Sequence, residues 1–335
     1  LPETPFITII VPFKDAQATL PKLVEALRQA NPAPGVVEMI AVDDSSTDGG
    51  AKILSEAGFR VLPNAPEHGP AAARNKGAQA SRGRVLLFLD ADVIPRPTLP
   101  DHVQKRFAED EKLMALSGVY DIEPANDGFF PRYKALRCHD WFTGVSRFGS
   151  LETACAAVRR EAFFNAGGFN EAYAGADVED YEFGYRLGGA QGIVVDHEMC
   201  VKHHFPSFTQ NLKNYARRSY QWARLKRPRT FDTAATTRTE AAAAFAGIVS
   251  IPMFFTALAA SSPWLNIASF CMQGLHIFWR RRFYVLCHNE EGPRFTVFAV
   301  LATLAGDAVV IPPWRGGMLR EYLVEPLTGK IRRQP

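Results

Sequence analysis

The chain has 335 residues, 47% hydrophobic and 22% charged, enough for one large domain or two moderate ones with a full core. A formal net charge of +3 excludes a global nucleic-acid footprint, and no nucleic-acid partner is expected. Five dispersed cysteines without a CxxC pair point to reduced thiols, not to a disulfide framework or a zinc site. The opening "LPETPFITIIVPF" carries no basic n-region, so no signal peptide is expected.

The first part alternates strand and helix patterns. "FITIIVPF", Phe6 to Phe13, predicts a strand, and Leu20, Leu23, Val24 and Leu27 recur at helical spacing. "VEMIAVDDSS" is a strand running into acids, and "TDGGAKILSEAG" is a helix closing at Gly58, with Ser46 or Thr47 placed to cap it. "RVLPN" is a short strand, "GPAAARNKGAQAS" a small-residue helix and "RVLLFLDAD" the next strand. This alternation predicts an α/β fold with a largely parallel sheet. Ligands of such sheets sit outside the carboxyl ends of the strands. Pro12-Phe13-Lys14-Asp15, Asp43-Asp44-Ser45-Ser46 and Asp90-Ala91-Asp92 are therefore expected to line one crevice.

From about Leu113 to Phe205, "MALSGVYDI" and "GIVVDHEMCVKHHF" read as strands. "VRREAFFNAGGFN" reads as a helix closed by glycines, and "DVEDYEFGYRLGGAQ" as a helix with acids in its first turn. The segment "SFTQNLKNYARRSYQWARLKRPR" sets Phe208, Leu212, Tyr215, Ser219 and Trp222 on one helix face among basic residues. That pattern suits an anionic membrane surface. Ala241 to Trp279 then contains no Asp, Glu, Lys or Arg. It has room for two apolar helices broken at Ser261-Ser262-Pro263, the second one short. Arg280 to Arg282 cap this run, and Phe295 to Trp314 is a third apolar stretch, interrupted by Asp307.

Several residues are suited to chemistry. Asp90 and Asp92 at i and i+2 of an extended segment point the same way and can share a divalent cation with a substrate diphosphate. Asp43 and Asp44 end another apolar strand, where a carboxylate can accept a bond from a base or ribose. Asp180, flanked by Glu179 and Glu182, reads as a general base or as a first-turn helix acid. Arg186 lies one to two turns on, placed to orient or pair with these acids. Of His203 and His204, adjacent on a strand, one can face the crevice.

Four stretches, "IIVPFKD", "IAVDDSSTDGG", "GPAAARNKGAQASRGRVLLFLDADV" and "GGFNEAYAGADVEDYEFGYRL", occur in the order of the family 2 glycosyltransferases. Over roughly Ile7 to His204 the chain resembles that family. The resemblance implies a GT-A fold, Rossmann-like with a mixed, mostly parallel sheet. It places Pro12 beside the nucleoside, Asp43 and Asp44 on base and ribose, and Arg74 and Asn75 on the nucleotide. Asp90 and Asp92 would bind ribose and a Mn²⁺ or Mg²⁺ ion on the diphosphate, joined by His203 or His204 as in some relatives. Glu179 and Asp180 would form the catalytic acidic motif, with Asp180 as base, and Gly167-Gly168-Phe169 would lie beside the donor sugar. Two departures stand out: Lys14-Asp15 replace the usual Asn or Glu, and Gln221, Trp222 and Arg224 do not form QxxRW. The second speaks against export-coupled polymer synthesis.

The expected organisation is a catalytic domain over 1–206, a basic interfacial helix over 207–232 and an α-helical membrane module over 233–335. The expected function is inverting transfer from a nucleoside-diphosphate sugar, UDP first, to a lipid-linked or membrane-borne acceptor, with the catalytic domain facing the cytoplasm. Arg280 to Arg282 then fit a hairpin returning to that side, and the third apolar stretch is expected to be re-entrant or interfacial. A membrane polysaccharide synthase and a non-catalytic sugar-nucleotide-binding scaffold are the rival readings.

Overall fold

The computed structural model describes residues 4–31, 35–64, 66, 68–173, 175, 178–188, 193–223, 225 and 237–319. The chain divides into two compact units, Leu1–Phe205 and Pro206–Pro335.

The first unit opens with the alternation its hydrophobic pattern predicts. β1 (Ile7–Phe13), α1 (Leu20–Ala30), β2 (Val37–Asp43), α2 (Gly50–Glu56), β3 (Arg60–Pro63), α3 (Gly69–Ala80) and β4 (Val85–Leu89) follow one another. β1 and β4 are buried along their whole length, as strands covered on both faces must be. Then come β5 (Val93–Pro95), α4 (Leu99–Glu109), β6 (Ala115–Tyr120), α5 (Phe129–Phe142), β7 (Arg147–Phe148), β8 (Cys155–Arg159), α6 (Arg160–Asn165), α7 (Glu179–Gly188) and β9 (Ile193–His203). The sheet order is β3-β2-β1-β4-β8-β6-β9-β5, with β7 beside β9. β1, β2, β3 and β4 pair in parallel, as do β6 and β9, whereas β8 runs antiparallel to both β4 and β6. The sheet is thus mixed and mostly parallel. Rings of Phe88, Phe163, Phe169 and Phe183 meet at 4.5–5.7 Å in the core beneath the site.

One sequence expectation fails locally. α2 begins at Gly50, so neither Ser46 nor Thr47 caps it. Asp48 does the nearby work: its Oδ1 accepts the Gly50 N–H at 2.9 Å, and its Oδ2 accepts the Gln17 N–H at 2.8 Å. The extra turn of loop frees Ser46 and Thr47 to bond Asp15, which zips the β1–α1 loop to the β2–α2 loop.

The second unit is helical among its described residues: α8 (Phe208–Ala223), α9 (Arg238–Ala259), α10 (Pro263–Trp279) and α11 (Arg281–Leu319). Arg224 and 226–236, where the basic segment continues, lie outside the described residues. On α8 the basic Lys213, Arg217 and Arg218 are exposed, as the amphipathic pattern predicts. Part of its aromatic face is nevertheless taken by protein, since the Tyr215 ring lies beside Gly306 of α11.

α9 and α10 break where expected, at Ser261-Ser262-Pro263. They run antiparallel, because bonded pairs step in opposite directions: Ser250 with Ser269, Ala243 with His276, Glu240 with Arg280. Arg280 is a correction to the sequence reading. It is buried and does not join Arg281 and Arg282 as a free cationic cap. Its Nε bonds Glu240 at 3.0 Å, and its two terminal nitrogens grip Asp307 at 2.6 and 3.0 Å. On a straight helix, 27 residues span about 40 Å, far beyond an arginine's reach. α11 therefore folds back, and Gly292 at φ 82°, ψ −177° is the break. By length and composition two stretches among the described residues are apolar enough to cross a membrane, Arg238–Ala259 and Arg281–Pro313, the second containing this break. α10 has 17 residues.

Candidate active site

The site forms where β4 ends. β5 pairs antiparallel with β9, setting Val93 opposite His203, and the His204 N–H bonds the Asp92 carbonyl at 2.8 Å. This register carries the His203 side chain to the acids. Ligand atoms of Asp90, Asp92 and His203 all lie within 4.8 Å of one another. His204 stands outside that group and contributes its backbone. The His203 ring stacks on Phe205 at 4.7 Å and meets the edge of Tyr120 at 5.6 Å, which fixes its plane. Its Nε2 is 3.5 Å from Asp92 Oδ1, and its buried Nδ1 has no hydrogen-bond partner. Burial raises the Asp92 pKa and the neighbouring Asp90 adds to the rise, with His203 opposing. Two carboxylates and an imidazole with an orphaned nitrogen suit a divalent cation.

Arg74 and Asn75 sit together on α3 but do different jobs. Arg74, 4% exposed, bonds Asp90 Oδ1 at 2.8 Å and Glu179 Oε1 at 3.1 Å. Burial opposes its charge, but Asp90 and Glu179 outweigh that and raise its pKa, so it stays a cation. Asn75 holds the glycine loop after α6. Its Nδ2 donates to the Phe169 carbonyl and to Glu171, and its Oδ1 accepts the Phe169 N–H. Gly168, at φ +67°, is required there, because a Cβ would lie 2.8 Å from Asn75 Oδ1. These contacts tie both residues to the protein's own acids and loop.

The acidic pair on α7 is split by burial. Glu179 is buried on Arg74 and holds α7 against the Asp90 loop. Asp180 is part-exposed, and its Oδ1 accepts the Tyr181 N–H at 2.8 Å. Arg186 pairs with Glu182, not with Glu179 or Asp180, and donates to the carbonyls of Ala166 and Gly168. It straps the glycine loop to α7 from the other side.

Asp43 and Asp44 also part company. Asp44 is buried, and its oxygens accept bonds from Asn64 Nδ2, His68 N–H and Gly69 N–H at 2.7, 3.1 and 3.0 Å. It ties the end of β3 to the start of α3. Asp43 is half-buried at the strand end, with Oδ1 accepting the Ser46 N–H. Pro12 is buried in β1 opposite Val42. A further pair lies behind His203: the Tyr120 hydroxyl donates to Glu152 Oε1 at 2.8 Å. Burial and the Glu152 charge hold the Tyr120 hydroxyl well above its ordinary pKa. Glu152 precedes β8 in "GSLETAC", where no sequence pattern singles it out.

Comparison with known proteins finds a matching family model and several relatives. The model of the family described as Glycosyl transferase family 2 matches residues 8–171. An uncharacterized glycosyltransferase of Haemophilus influenzae is 28% identical over 189 residues, 54% of this chain and 61% of that protein. The beta-monoglucosyldiacylglycerol synthase of a Nostoc species is 27% identical over 196 residues, 55% of this chain and 41% of that protein. The chain thus spans less than two thirds of either relative. The mannosyltransferase PcManGT of Pyrobaculum calidifontis, solved with GDP-Man and Mn²⁺, superposes over 98% of this chain and 88% of its own. With a TM-score of 0.53 and 16% identity, that likeness is one of fold.

Proposed function

We propose that the chain, whose residues 8–171 match the model of glycosyl transferase family 2, carries out an inverting, cation-dependent sugar transfer to a membrane-borne acceptor. The observation that carries the proposal is the convergence of Asp90, Asp92 and His203 at the carboxyl ends of parallel strands.

Asp90, Asp92 and His203 would hold a divalent cation, which would supply charge neutralisation for the departing diphosphate. The remaining work falls to side chains. Asp43 faces the base and ribose of a nucleoside diphosphate, UDP first. Arg74 keeps Asp90 aimed while holding Glu179, so the metal-binding loop and α7 keep a fixed distance. Asn75 and Arg186 hold the Gly167-Gly168-Phe169 loop beside the donor sugar. Asp180 accepts the proton of the acceptor hydroxyl. The hydroxyl oxygen bonds the anomeric carbon from the face opposite the departing diphosphate, which inverts the centre. Glu179, buried on Arg74, is a positioning residue in this scheme.

The acceptor is proposed to be lipid-borne. The apolar helices of the second unit support this, as does the name of the diacylglycerol-glucosylating relative. Nucleotide sugars are cytosolic, so the catalytic unit would face the cytoplasm. The test is a thermal-shift screen of the full chain with UDP and GDP, each with and without Mn²⁺, followed by product analysis with vesicle-borne acceptors. A nucleotide that stabilises only with Mn²⁺, and a single-sugar product, are expected. Processive polymer would favour the synthase reading. Full donor turnover by Asp92→Ala or Asp180→Asn would remove the proposed roles.

A further inference from the structure

We propose that α9 and α10 form a re-entrant hairpin that enters and leaves a lipid bilayer by the same face, its tip stopping short of the far headgroups. This rests on the membrane reading above and not on the transfer chemistry.

Four observations carry it. First, the outside of the hairpin is apolar. Phe245, Phe255, Leu258, Trp264, Phe270 and Phe278 are exposed, and Trp264 at the tip is 79% exposed. A soluble surface rarely presents such a continuous face. Second, a set of polar groups on these helices points inward. Ser250 bonds Gln273, Ser269 bonds the Ser250 carbonyl and His276 bonds the Ala243 carbonyl and Tyr284. That inversion, polar inside and apolar outside, is the pattern hydrocarbon selects.

Third, the tip is built to do without water. The N–H groups of Ala260, Ser261 and Ser262 bond the carbonyls of Thr256, Leu258 and Ala257. The Ser262 hydroxyl accepts the Leu265 N–H. The turn carries no charge, and it leaves no loop to lie in water on a far side. Fourth, the return arm falls short: α9 is long enough to cross, but α10, with 17 residues, is not. Charges reappear at the base, where Arg280 is locked to Glu240 and Asp307. From Arg280 to Trp264 the helix rises about 24 Å, against about 30 Å of hydrocarbon. The same lock holds the later apolar stretch of α11 to the base of the hairpin at Asp307.

The experiment uses the full chain reconstituted in phosphatidylethanolamine/phosphatidylglycerol vesicles. Two exposed positions are changed separately in a Cys271→Ser background, Trp264→Cys at the tip and His288→Cys beyond the base. Circular dichroism melts matching the parent verify folding. A membrane-impermeant maleimide is added to sealed vesicles and to vesicles opened by freeze–thaw. Position 288 is expected to label in both states, more after opening. Position 264 is expected to resist in both and to label once detergent dissolves the lipid. Labelling of position 264 in opened vesicles means a full crossing and overturns the proposal. Labelling of position 264 in sealed vesicles to the detergent level overturns it too, because the face then belongs to another protein surface. Neither readout involves donor or acceptor, so failure here is separate from failure of the transferase scheme.

Discussion

Arg74 is the residue on which the two acidic motifs depend. Replacing it by Ala leaves Asp90 and Glu179 without their cation, and breaking a buried ion pair costs about 3–5 kcal/mol. Urea unfolding of Arg74→Ala is expected to register a loss of that size, and Arg74→Lys, which cannot span both acids, a smaller one. Asp92 is predicted to behave in the opposite way. Its raised pKa means that the folded, metal-free protein disfavours its charge. That penalty is absent below the ordinary carboxylate range and grows as pH rises through the folded pKa. Asp92→Asn is therefore expected to hold or raise the metal-free melting temperature at neutral pH while losing the Mn²⁺-dependent rise. The two acids of this motif were legible because an extended segment points i and i+2 alike. The choice of His203 over His204 was not, because it depends on the β5–β9 register. Nor was the Arg74–Glu179 pair, whose members lie 105 residues apart.

At the scale of elements, the end of the sheet away from the site is fastened by Glu38 of β2. It accepts the Thr8 hydroxyl at 2.7 Å, the Arg82 N–H at 2.8 Å and the Arg82 guanidinium at 3.0 Å. Burial works against its charge, but these bonds outweigh burial and hold its pKa below the usual range. A depressed carboxylate stabilises fully above its unfolded pKa, and that contribution fades as pH falls through the folded value. Glu38→Gln should therefore cost about 1–2 kcal/mol at pH 7 and progressively less in acid, measured by chemical denaturation across pH. Mn²⁺ and nucleotide responses should not move. The parallel strands were legible because β1 and β4 are unbroken apolar runs. α5 was not, because Lys134 and Arg137 lie buried within it, each over the Trp141 ring, and interrupt the apolar stripe. The start of α2 was misjudged by a turn because Ser46 and Thr47 have the chemistry of caps but serve the neighbouring loop.

The whole molecule is legible as a change of composition. Strand–helix alternation stops near residue 206, and 39 uncharged residues follow from Ala241. Because the Phe88, Phe163, Phe169 and Phe183 core lies wholly in the first unit, a chain ending after Pro206 is expected to fold alone. It should elute as a single detergent-free species in size-exclusion chromatography, whereas the full chain should need lipid or detergent. What composition concealed is the fold-back of α11, since a long apolar stretch reads the same straight or broken. That fold-back sets an order of events during synthesis. Glu240 leaves the ribosome first, Arg280 follows, and Asp307 comes last. Until Asp307 emerges, Arg280 shares a buried position with one carboxylate where the finished protein gives it two. A nascent chain stalled or truncated between them carries an incompletely matched cation at the base of its hairpin. The cell's quality-control machinery would therefore meet a half-made charge lock in every chain released before residue 307.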